Sequence, residues 1–498
     1  MATSTTTTGG ATTFEVRNPA TGEVAGVFPN HDRAAVDAVV DRAHAAAEWW
    51  AALGFAERAR RLDRWRAEIT RGRNELAQLI HTEMGKPVSD AKLEIAMGLE
   101  HLKWAARNAH KVLGRRSVRS SLLTINHAAT VEYRPYGVVG VIGPWNYPVF
   151  TPLSSVSFAL AAGNAVVFKP SEYTPGVGVW LTDAFARAVP EQPVFEVVTG
   201  SGETGNALCR SDVGKIGFTG STATGKRVMA ACAENLTPVL MECGGKDAMI
   251  VDADADIRAA AEAAVWGGLS NAGQTCLAVE RIYVHADVYG VFVGELVMQA
   301  RAIDAGRPES KIGPITMPKQ VDIIRHQIED AVLRGARALI GGPDAIDGQF
   351  VQPTILVDVD DDAPAMTEET FGPVLVVTKV RDMDEAVERV DAGVYGLGST
   401  VFSRRHGRLI AGRLRAGATS INAFVAHATV PALPLGGVGA SGFGRVHGPD
   451  GLREFAYAKA TTRQLFPSPL PLTTFRRTAV IDAVADRLVA VLHGRSRS

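Results

Sequence analysis

The sequence predicts two α/β domains in series. The first observation is an alternation of short β-branched runs with alanine-rich helical segments, which begins near Val138 and is typical of a doubly wound parallel sheet. The second is the length of 498 residues, which is more than one compact domain usually holds. The third is an excess of glycine, 50 residues, which indicates backbone that closely approaches a ligand such as a nucleotide.

Composition and charge argue against several other classes of protein. The 52 basic and 53 acidic residues give a net charge of −1, so the chain has no strong attraction for nucleic acid or an anionic membrane. The 4 cysteines include no CxxC pair, which excludes a disulfide framework and a cysteine-rich zinc site. No run of 18 apolar residues occurs. We therefore expect a cytoplasmic protein with reduced thiols and without a metal.

The elements can be predicted in chain order. Residues 1–12 are polar and uncharged apart from the terminus, and they predict a disordered tail. Apolar residues recur at helical spacing between Asp32 and Leu113. Strands of the first alternation are expected at 138–142, 165–168, 194–198, 215–218 and 238–242, with helices at 177–189 and 222–233. The second alternation predicts strands at 281–284, 355–357 and 374–380, helices at 257–269 and 288–303, and an amphipathic helix at 478–493 ends the chain.

Three glycine-rich loops compete as the nucleotide loop. Residues 200–205 and 437–442 fit the pattern GxGxxG, whereas residues 220–225 fit only GxxxxG but join a predicted strand to a helix. This context matters because the helix N-terminus then faces the pyrophosphate. The loop at 200 also lacks the acidic ribose partner expected about 20 residues later. Spacing alone leaves the loops at 200 and 220 both open.

A further indication of a nucleotide follows the predicted strand 165–168. Lys169, Ser171 and Glu172 come directly after this strand, at the edge where open α/β sheets bind ligands. A lysine and a carboxylate at this edge can both reach ribose hydroxyls. A solvated charge pair on a surface loop is an equal alternative at this stage.

Two residues have the character of a nucleophile and a base. Cys276 ends a loop of small and polar residues, whereas Cys209 and Cys232 lie in helical segments, where cysteine is usually a buried small side chain. Glu242 ends a predicted strand close to two glycines, and an apolar cleft there would raise its pKa into the range of a general base. With the amide of Asn146 as an oxyanion donor, these residues predict covalent chemistry on a carbonyl group.

Over nearly its whole length the chain resembles the NAD(P)-dependent aldehyde dehydrogenase superfamily. Eight motifs occur in the family's order: NPATGE at 18–23, PWNYP at 144–148, AAGNAVVFKPSE at 161–172, FTGSTATG at 218–225, ECGGK at 242–246, GQTC at 273–276, EETFGPV at 368–374 and GGVGASGFGR at 436–445. The resemblance implies a Rossmann-type cofactor domain, an α/β catalytic domain and a small β oligomerisation arm.

The resemblance also implies roles for the candidate catalytic residues. Cys276 would attack the aldehyde carbon and form a thiohemiacetal, whose oxyanion Asn146 and the Cys276 backbone N–H would hold. Hydride transfer to the nicotinamide would leave a thioester. Glu242 would then activate the water that releases the carboxylic acid.

The cofactor site follows from the same resemblance. It implies these residues: Trp145, Lys169, Ser171, Glu172, Gly220, Ser221, Thr222, Gly225, Glu369 and Phe371. Lys169 and Glu172 would bind the adenosine ribose, so the resemblance favours the loop at 220–225 that fails the standard pattern. Because the Glu172 carboxylate would repel a 2′-phosphate, the sequence predicts NAD rather than NADP.

The substrate pocket is predicted only from offsets between motifs. These offsets give Phe150, Leu153, Leu277 and Phe424. Related semialdehyde enzymes carry an arginine on the helix after PWNYP, whereas Ser154 and Ser155 stand here. Without a buried cation a substrate carboxylate is poorly compensated, so we expect an uncharged aliphatic or aromatic aldehyde ahead of succinate semialdehyde. Cys243, where leucine is common, and Gly439, where lysine is common, leave the subfamily open.

The resemblance divides the chain into parts. We expect a disordered tail at 1–12, an NAD-binding domain at 13–116 and 138–243 that residues 442–462 rejoin, a catalytic domain at 244–441, an oligomerisation arm at 117–137 and 463–472, and a C-terminal amphipathic helix within 473–498. The arm predicts a homodimer or homotetramer.

Two other functions are less favoured by the residues. A CoA-acylating relative often lacks the glutamate base, and Glu242 is present here. A catalytically silent nucleotide-binding relative would have no reason to keep Cys276, Glu242 and Asn146 together.

Overall fold

The computed structural model describes residues 5–8, 11–307, 310–468 and 470–494. The described residues divide into two compact units, one of residues up to 112 with 135–457, the other of residues 113–134 with those after 457. None of the helices in the described part of the chain is long and apolar enough to cross a bilayer.

The first unit begins with a small antiparallel sheet and four helices. These are β1 (Thr5–Thr8), β2 (Ala11–Arg17), β3 (Val24–Pro29), α1 (Arg33–Ala52), α2 (Gly54–Arg71), α3 (Arg73–Met84) and α4 (Val88–Leu113). The predicted disordered tail at 1–12 is a strand at residues 5–8, which pair antiparallel with residues 11–14, while residues 1–4 and 9–10 of that prediction lie outside the described residues. The reason is the run of threonines, since β-branched residues favour an extended chain.

The second unit contains the small sheet that the sequence predicted as an arm. Its strands are β4 (Arg116–Val118), β5 (His127–Pro135) and a third strand at Ala456–Gln464, with β5 in the centre. The predicted start of the returning segment at residue 463 is therefore wrong, because the strand begins at 456. Every residue of this strand after Ala456 is exposed, so no pattern of buried side chains marks where it begins.

A mostly parallel sheet follows in the first unit. Its elements are β6 (Val138–Ile142), α5 (Phe150–Ala162), β7 (Ala165–Lys169), α6 (Pro175–Ala188), β8 (Phe195–Val197), α7 (Gly202–Arg210), β9 (Lys215–Thr219), α8 (Thr222–Ala233) and β10 (Val239–Glu242). The strand order is β10-β9-β6-β7-β8. Every residue of β6 and β7 is buried, as expected for central strands covered on both faces.

A seven-stranded sheet carries the second alternation. Its region comprises β11 (Ala248–Val251), α9 (Ile257–Leu269), β12 (Arg281–His285), α10 (Tyr289–Ala300), α11 (Pro318–Leu333), β13 (Arg337–Ile340), β14 (Ile346–Asp347), β15 (Phe350–Val351), β16 (Thr354–Val357), α12 (Pro364–Thr367), β17 (Val374–Val380), α13 (Met383–Asp391), β18 (Gly398–Phe402), α14 (Gly407–Ala411), β19 (Ala418–Ile421) and α15 (Ala426–Thr429). The strand order is β13-β16-β17-β12-β11-β18-β19. Successive residues of β11 alternate between two core clusters, one on each face of the sheet.

The last elements return to the first sheet and then to the arm. They are β20 (Gly442–Phe443), α16 (Gly448–Glu454), β21 (Ala456–Gln464) and α17 (Ala479–His493). β20 pairs antiparallel with β10, so that Gly442 lies opposite Glu242. The predicted strands and helices of both alternations are confirmed to within one to three residues at their ends, while the boundary between the two predicted domains stays a prediction.

Candidate active site

The loop that carries Cys276 is held in a strained conformation. It follows α9 through residues with left-handed backbone, among them Asn271 at φ 52° and Gly273 at φ 73°. A side chain on Gly273 would lie 2.1 Å from the backbone oxygen of Gly372, so only glycine fits. The Gln274 side chain donates to the Pro314 carbonyl at 3.1 Å and accepts from the Thr316 amide at 2.8 Å. The loop is therefore fixed from both sides.

The Cys276 thiol is half-buried and lies among acidic side chains. Burial raises the pKa of Cys276, and the carboxyl groups of Glu369, Asp247 and Glu242 raise it further. The protein therefore keeps this group as a thiol until something removes its proton. A base close to the sulfur is needed for nucleophilic attack.

Asn146 lies directly against this loop. Its side-chain amide donates to the Gln274 carbonyl at 2.9 Å, two residues before the cysteine. The hydroxyl of the neighbouring Tyr147 is 3.1 Å from the hydroxyl of Thr275. The structure thus brings two of the predicted catalytic residues, Asn146 and Cys276, onto adjoining loops.

Glu242 ends β10 with its carboxylate buried. Among the residues that the structure describes, one of its oxygens, Oε1, has no hydrogen-bond partner. That oxygen is 2.9 Å from the position that a Cβ on Gly436 would occupy, so the glycine leaves room for it. Burial raises the pKa of Glu242 well above its usual value, while Arg445 lowers it and Glu454 raises it. A buried carboxylate with a free oxygen suits a general base.

The loop at 220–225 joins β9 to α8 close to Glu242. The Gly220 amide donates to the Glu242 carbonyl at 3.1 Å, and the Ser221 hydroxyl caps α8 by accepting from the Thr224 amide at 3.3 Å. A Cβ on Gly225 would be 2.6 Å from the Met241 sulfur, so the glycine lets the helix pack directly on β10. The other first-turn amides of α8, those of Thr222 and Ala223, can face an anion, as in a dinucleotide site.

The Gly220 amide and the Thr222 hydroxyl both donate hydrogen bonds to other groups of the protein. Because the Gly220 amide extends the ladder between β9 and β10, it is not free for a pyrophosphate. The Thr222 hydroxyl donates to the Ala440 carbonyl at 2.9 Å and so ties the start of α8 to residues 439–441. A phosphate at this loop would therefore be held by the helix N-terminus rather than by the Gly220 amide.

The other two glycine-rich loops have different tasks. Near Gly200, the Ser201 amide donates to the Asn30 side chain at 3.1 Å, and the Thr204 hydroxyl donates to the His31 carbonyl at 2.7 Å. These groups are occupied by the protein's own residues. In the loop at 437–442, the Ser441 carbonyl accepts from the Cys243 amide at 3.0 Å, so this loop supports the strand of the base.

The predicted ribose residues lie together at the end of β7. The Lys169 ammonium is 3.5 Å from Oε2 of Glu172, and the Ser171 hydroxyl is 3.5 Å from the same oxygen. Lys169 is buried, which lowers its pKa, whereas the Glu172 side chain is 38 % exposed. An exposed carboxylate beside a buried ammonium can accept hydrogen bonds from the hydroxyl groups of a ribose.

The residues predicted for the nicotinamide side also meet. The Trp145 and Phe371 rings contact edge to face with their centroids 5.5 Å apart, and Phe371 has φ 48°. The Glu369 carboxylate accepts from the Gly245 amide at 3.1 Å. Burial raises the pKa of Glu369 to about 8, and the charge of Glu280 adds to this effect.

Sequence reasoning missed two buried ion pairs that hold these loops. Lys86 pairs with Glu94, and Lys246 pairs with Glu280 at 2.6 Å. Only Lys246 lies in a quoted motif, ECGGK. The sequence showed only that Gly85, Lys86 and Pro87 interrupt a helical segment, between α3 and α4, and nothing there indicated the partners of Lys86.

The four predicted pocket residues each pack against a different neighbour. Phe150 contacts the ring of His101 at a centroid distance of 5.1 Å, and the Leu153 side chain lies over Gly98. Leu277 lies over Gly398, and Phe424 lies over Gly267. Their role in binding a substrate stays a prediction.

Neutral histidines lie beside Phe150. The His447 Nε2 atom is 2.7 Å from the Ser154 hydroxyl, and its ring is 4.0 Å from that of His101. Burial lowers the pKa of both histidines, and His101 lowers that of His447 further. These rings therefore carry no positive charge at neutral pH.

Comparison with known proteins matches the chain to one family. The model of the aldehyde dehydrogenase family matches residues 6–461. The chain is 37 % identical over 451 residues to a 4,4'-diapolycopene aldehyde oxidase of Methylomonas sp, covering 90 % of this chain and 85 % of the relative. It is 36 % identical over 455 residues to a glutarate-semialdehyde dehydrogenase of Pseudomonas aeruginosa, covering 90 % of this chain and 93 % of the relative.

Solved structures show the same similarity. A crystal structure of PnpE in complex with nicotinamide adenine dinucleotide superimposes with a TM-score of 0.88 at 32 % identity. The match covers 93 % of this chain and 96 % of that chain.

Proposed function

Because the chain belongs to the aldehyde dehydrogenase family and is an NAD(P)-dependent oxidoreductase that oxidises aldehydes, we propose that Cys276, Glu242 and Asn146 carry its chemistry. The observation that supports this most strongly is Glu242. It is a buried carboxylate with a raised pKa and one free oxygen, and its charge reaches the Cys276 thiol. A base of this kind can serve both a thiol and a water molecule.

In the first half of the reaction the Cys276 sulfur forms a bond to the aldehyde carbon, and the thiol proton passes to the Glu242 carboxylate. The carbonyl oxygen becomes an oxyanion that accepts hydrogen bonds from the Asn146 amide and the Cys276 backbone N–H. When bound, the nicotinamide of the cofactor supplies the hydride acceptor that the oxidation requires. The product of this half is a thioester on Cys276.

In the second half Glu242 acts on water. Its carboxylate, once it has released the first proton, takes a proton from a water molecule whose oxygen bonds to the thioester carbon. The carbon–sulfur bond breaks, the carboxylic acid leaves, and the sulfur is free for another cycle. The raised pKa of Glu242 favours proton uptake in this step.

For the cofactor we propose NAD in preference to NADP. The N-terminus of α8, packed on β10 at Gly225, would hold the pyrophosphate, and Lys169, Ser171 and Glu172 would hold the adenosine ribose. The nicotinamide ribose would lie against Glu369 and Phe371, with Trp145 along the cleft. The preference rests on Glu172, because its exposed carboxylate repels a 2′-phosphate.

For the substrate we propose an uncharged aliphatic or aromatic aldehyde. Ser154 takes the place of a cation on α5, and the histidines beside it, His101 and His447, are neutral. A substrate carboxylate in this region would be buried without a positive partner, which is unfavourable. Succinate semialdehyde is the second candidate, since the relatives include a glutarate-semialdehyde dehydrogenase and a probable succinate-semialdehyde dehydrogenase.

We also propose that the protein is a cytoplasmic homo-oligomer. The connection between β4 and β5 of the arm has exposed apolar side chains, among them Leu122 at 60 % and Ile125 at 55 % exposure. Clustered exposed apolar side chains are typical of a surface that another subunit covers. The choice between dimer and tetramer can be read from the mass in solution.

The experiment that tests this function is an aldehyde panel with NAD or NADP, followed by the absorbance of the reduced cofactor. The panel contains aliphatic and aromatic aldehydes and the semialdehydes of succinate and glutarate. Cys276→Ala should remove activity, and Cys209→Ala, a matched change at a buried thiol away from the site, should retain it. Activity that persists in Cys276→Ala would overturn the proposed mechanism.

A further inference from the structure

One buried ion pair holds both ends of the turn that carries Asn146. The Lys86 ammonium pairs with the Glu94 carboxylate, and their side chains are 1 % and 0 % exposed. Lys86 also donates to the Asn146 carbonyl at 2.7 Å. Glu94 accepts from the backbone amides of Val149 and Phe150 at 2.8 and 3.1 Å. The pair thus contacts the turn at its start and at its end.

The charges of the pair match the backbone groups that they contact. A lysine ammonium has only donors, and it meets a carbonyl oxygen. A glutamate carboxylate has only acceptors, and it meets two amides at the first turn of α5, where the helix offers unpaired N–H groups. The hydrogen bonds of charged groups are the stronger ones, so the turn is held more firmly than by neutral partners.

The same pair reaches towards the cysteine loop. Lys86 lies 3.9 Å from the centre of the Tyr147 ring, and the Tyr147 hydroxyl contacts Thr275, the residue before Cys276. The Asn146 carbonyl also accepts from the Asn271 side chain at 3.1 Å. The carbonyl of Asn146 therefore has two donors, and its backbone orientation is fixed on both sides.

We propose that Lys86 and Glu94 are positioning residues that set the Asn146 amide for the oxyanion. They act through Asn146 and do not touch the substrate themselves. Displacement of a catalytic group by about 1 Å can cost roughly 100-fold in rate, so rigid support of this turn has a direct kinetic consequence. The inference rests on the proposed role of Asn146 as the oxyanion donor.

A structural brace without a kinetic role is the alternative explanation. The two can be separated because a brace affects every step that needs a folded protein, whereas a positioning pair affects only what Asn146 does. A double-mutant cycle between Lys86 and Asn146 measures this difference. The neutral pair Lys86→Met with Glu94→Gln keeps the approximate volume and leaves no unpaired buried charge, which guards against simple unfolding.

The test measures kcat/KM of the full-length enzyme with a good aldehyde and NAD, in wild type and Asn146→Ala. The Lys86→Met, Glu94→Gln double variant should lose about 10- to 100-fold in the wild-type background, less than the roughly 100- to 1,000-fold cost of removing one oxyanion donor, because the Asn146 amide is displaced rather than removed. The same change should lose less than about threefold in Asn146→Ala, because the group that the pair positions is then absent. Arg42→Met, which breaks the ion pair with Glu196 in the same unit, should have no effect in either background.

Two outcomes would overturn the inference, and a third would overturn the function on which it rests. Equal losses in both backgrounds would show that the pair is only a brace, and so would a double variant with full activity. If Asn146→Ala itself retained full activity, the proposed role of Asn146 would be wrong. Thermal unfolding of each variant reports the folded fraction used to correct every rate.

Discussion

Two loops of the candidate site are held by the same chemistry. At the Asn146 turn, Lys86 and Glu94 hold a carbonyl and two amides. At the loop of residues 369–371, Lys246 donates to the Thr370 hydroxyl at 2.8 Å, and Glu280 accepts from the amides of Thr370 and Phe371 at 2.9 Å.

The difference between the two lies in what each loop carries. The first loop carries a group proposed for the chemical step, and the second carries Glu369 and Phe371, which are proposed to contact the cofactor. A buried lysine–glutamate pair costs desolvation and gives little net stability. Both pairs occur where a loop holds a group proposed to be functional, which indicates that these two pairs serve the geometry of the site rather than the stability of the core.

The largest expected effect is a loss of folding stability, and it tests whether the two ion pairs are energetically equivalent. Lys86→Met and Lys246→Met each leave a buried carboxylate without its cation, and removal of one partner of such a pair costs about 3–5 kcal/mol. We expect similar losses of stability in denaturant unfolding. Adding Glu94→Gln or Glu280→Gln to the respective variant should recover part of the loss. A clear loss for only one of the two lysines would contradict the equivalence.

The next largest effect is on cofactor binding, and it tests whether the Lys246–Glu280 pair differs in function from the Lys86–Glu94 pair. The neutral pair Lys246→Met with Glu280→Gln should weaken cofactor binding about 10-fold, the usual size of an effect on a supporting residue. The change should appear in the KM for NAD and in the NADH dissociation constant from fluorescence, with a smaller change in kcat. The neutral variant of the first pair is the matched control, since it should lower kcat with little change in NADH affinity. A loss of kcat at unchanged NADH affinity for the second pair would contradict this division.

A pH profile would sharpen the comparison because Glu242 has no part in either pair. Hydrolysis of the thioester needs the Glu242 carboxylate, so its rate should rise with pH through the raised pKa of that group. The charged groups that act on Glu242 are Arg445, which lowers its pKa, and Glu454, which raises it. Arg445→Gln should therefore move the profile to higher pH, and Glu454→Gln should move it to lower pH.

The two neutral pair variants serve as controls for this profile. They should lower the rate or the affinity without moving the profile along the pH axis. The charge of Glu242 also raises the pKa of the Cys243 and Cys276 thiols, so a steady-state pH profile would mix several titrating groups. Single-turnover hydrolysis of the preformed thioester is therefore the measurement to use, because the Cys276 sulfur is already acylated. An unchanged profile in Arg445→Gln would count against Glu242 as the titrating base.

The smallest effect concerns cofactor selectivity, which lies outside both pairs. Glu172→Ser removes an exposed carboxylate, and a like-charge contact near water is worth about 1 kcal/mol, or roughly fivefold. The ratio of kcat/KM for NADP to that for NAD should rise by this factor. Glu203→Ser, an exposed acid on α7, is a matched control that should not change the ratio. An unchanged ratio in Glu172→Ser would end the argument for NAD preference.

Much of the fold could be predicted from the sequence. The strands at 138–142 and 374–380 and the helices at 222–233 and 257–269 agree with the structure because their hydrophobic patterns match their burial. The tail could not be predicted in this way, since the threonines of Thr5–Thr8 have no apolar pattern. The third strand of the arm was also misplaced, because its partner β5 is more than 300 residues away in the chain.

The sequence by itself determined the family, the order of the motifs and the identity of Cys276, Glu242 and Asn146 as candidates, because these depend on residue types at fixed spacing. The tertiary structure decided which glycine-rich loop has a free helix N-terminus, how far burial and neighbouring charge shift the pKa values of Glu242 and Glu369, and which residues support the site. The reason is physical. A lysine at position 86 meets a carbonyl at position 146 only through folding, and a hydrogen bond across 60 residues leaves no local pattern.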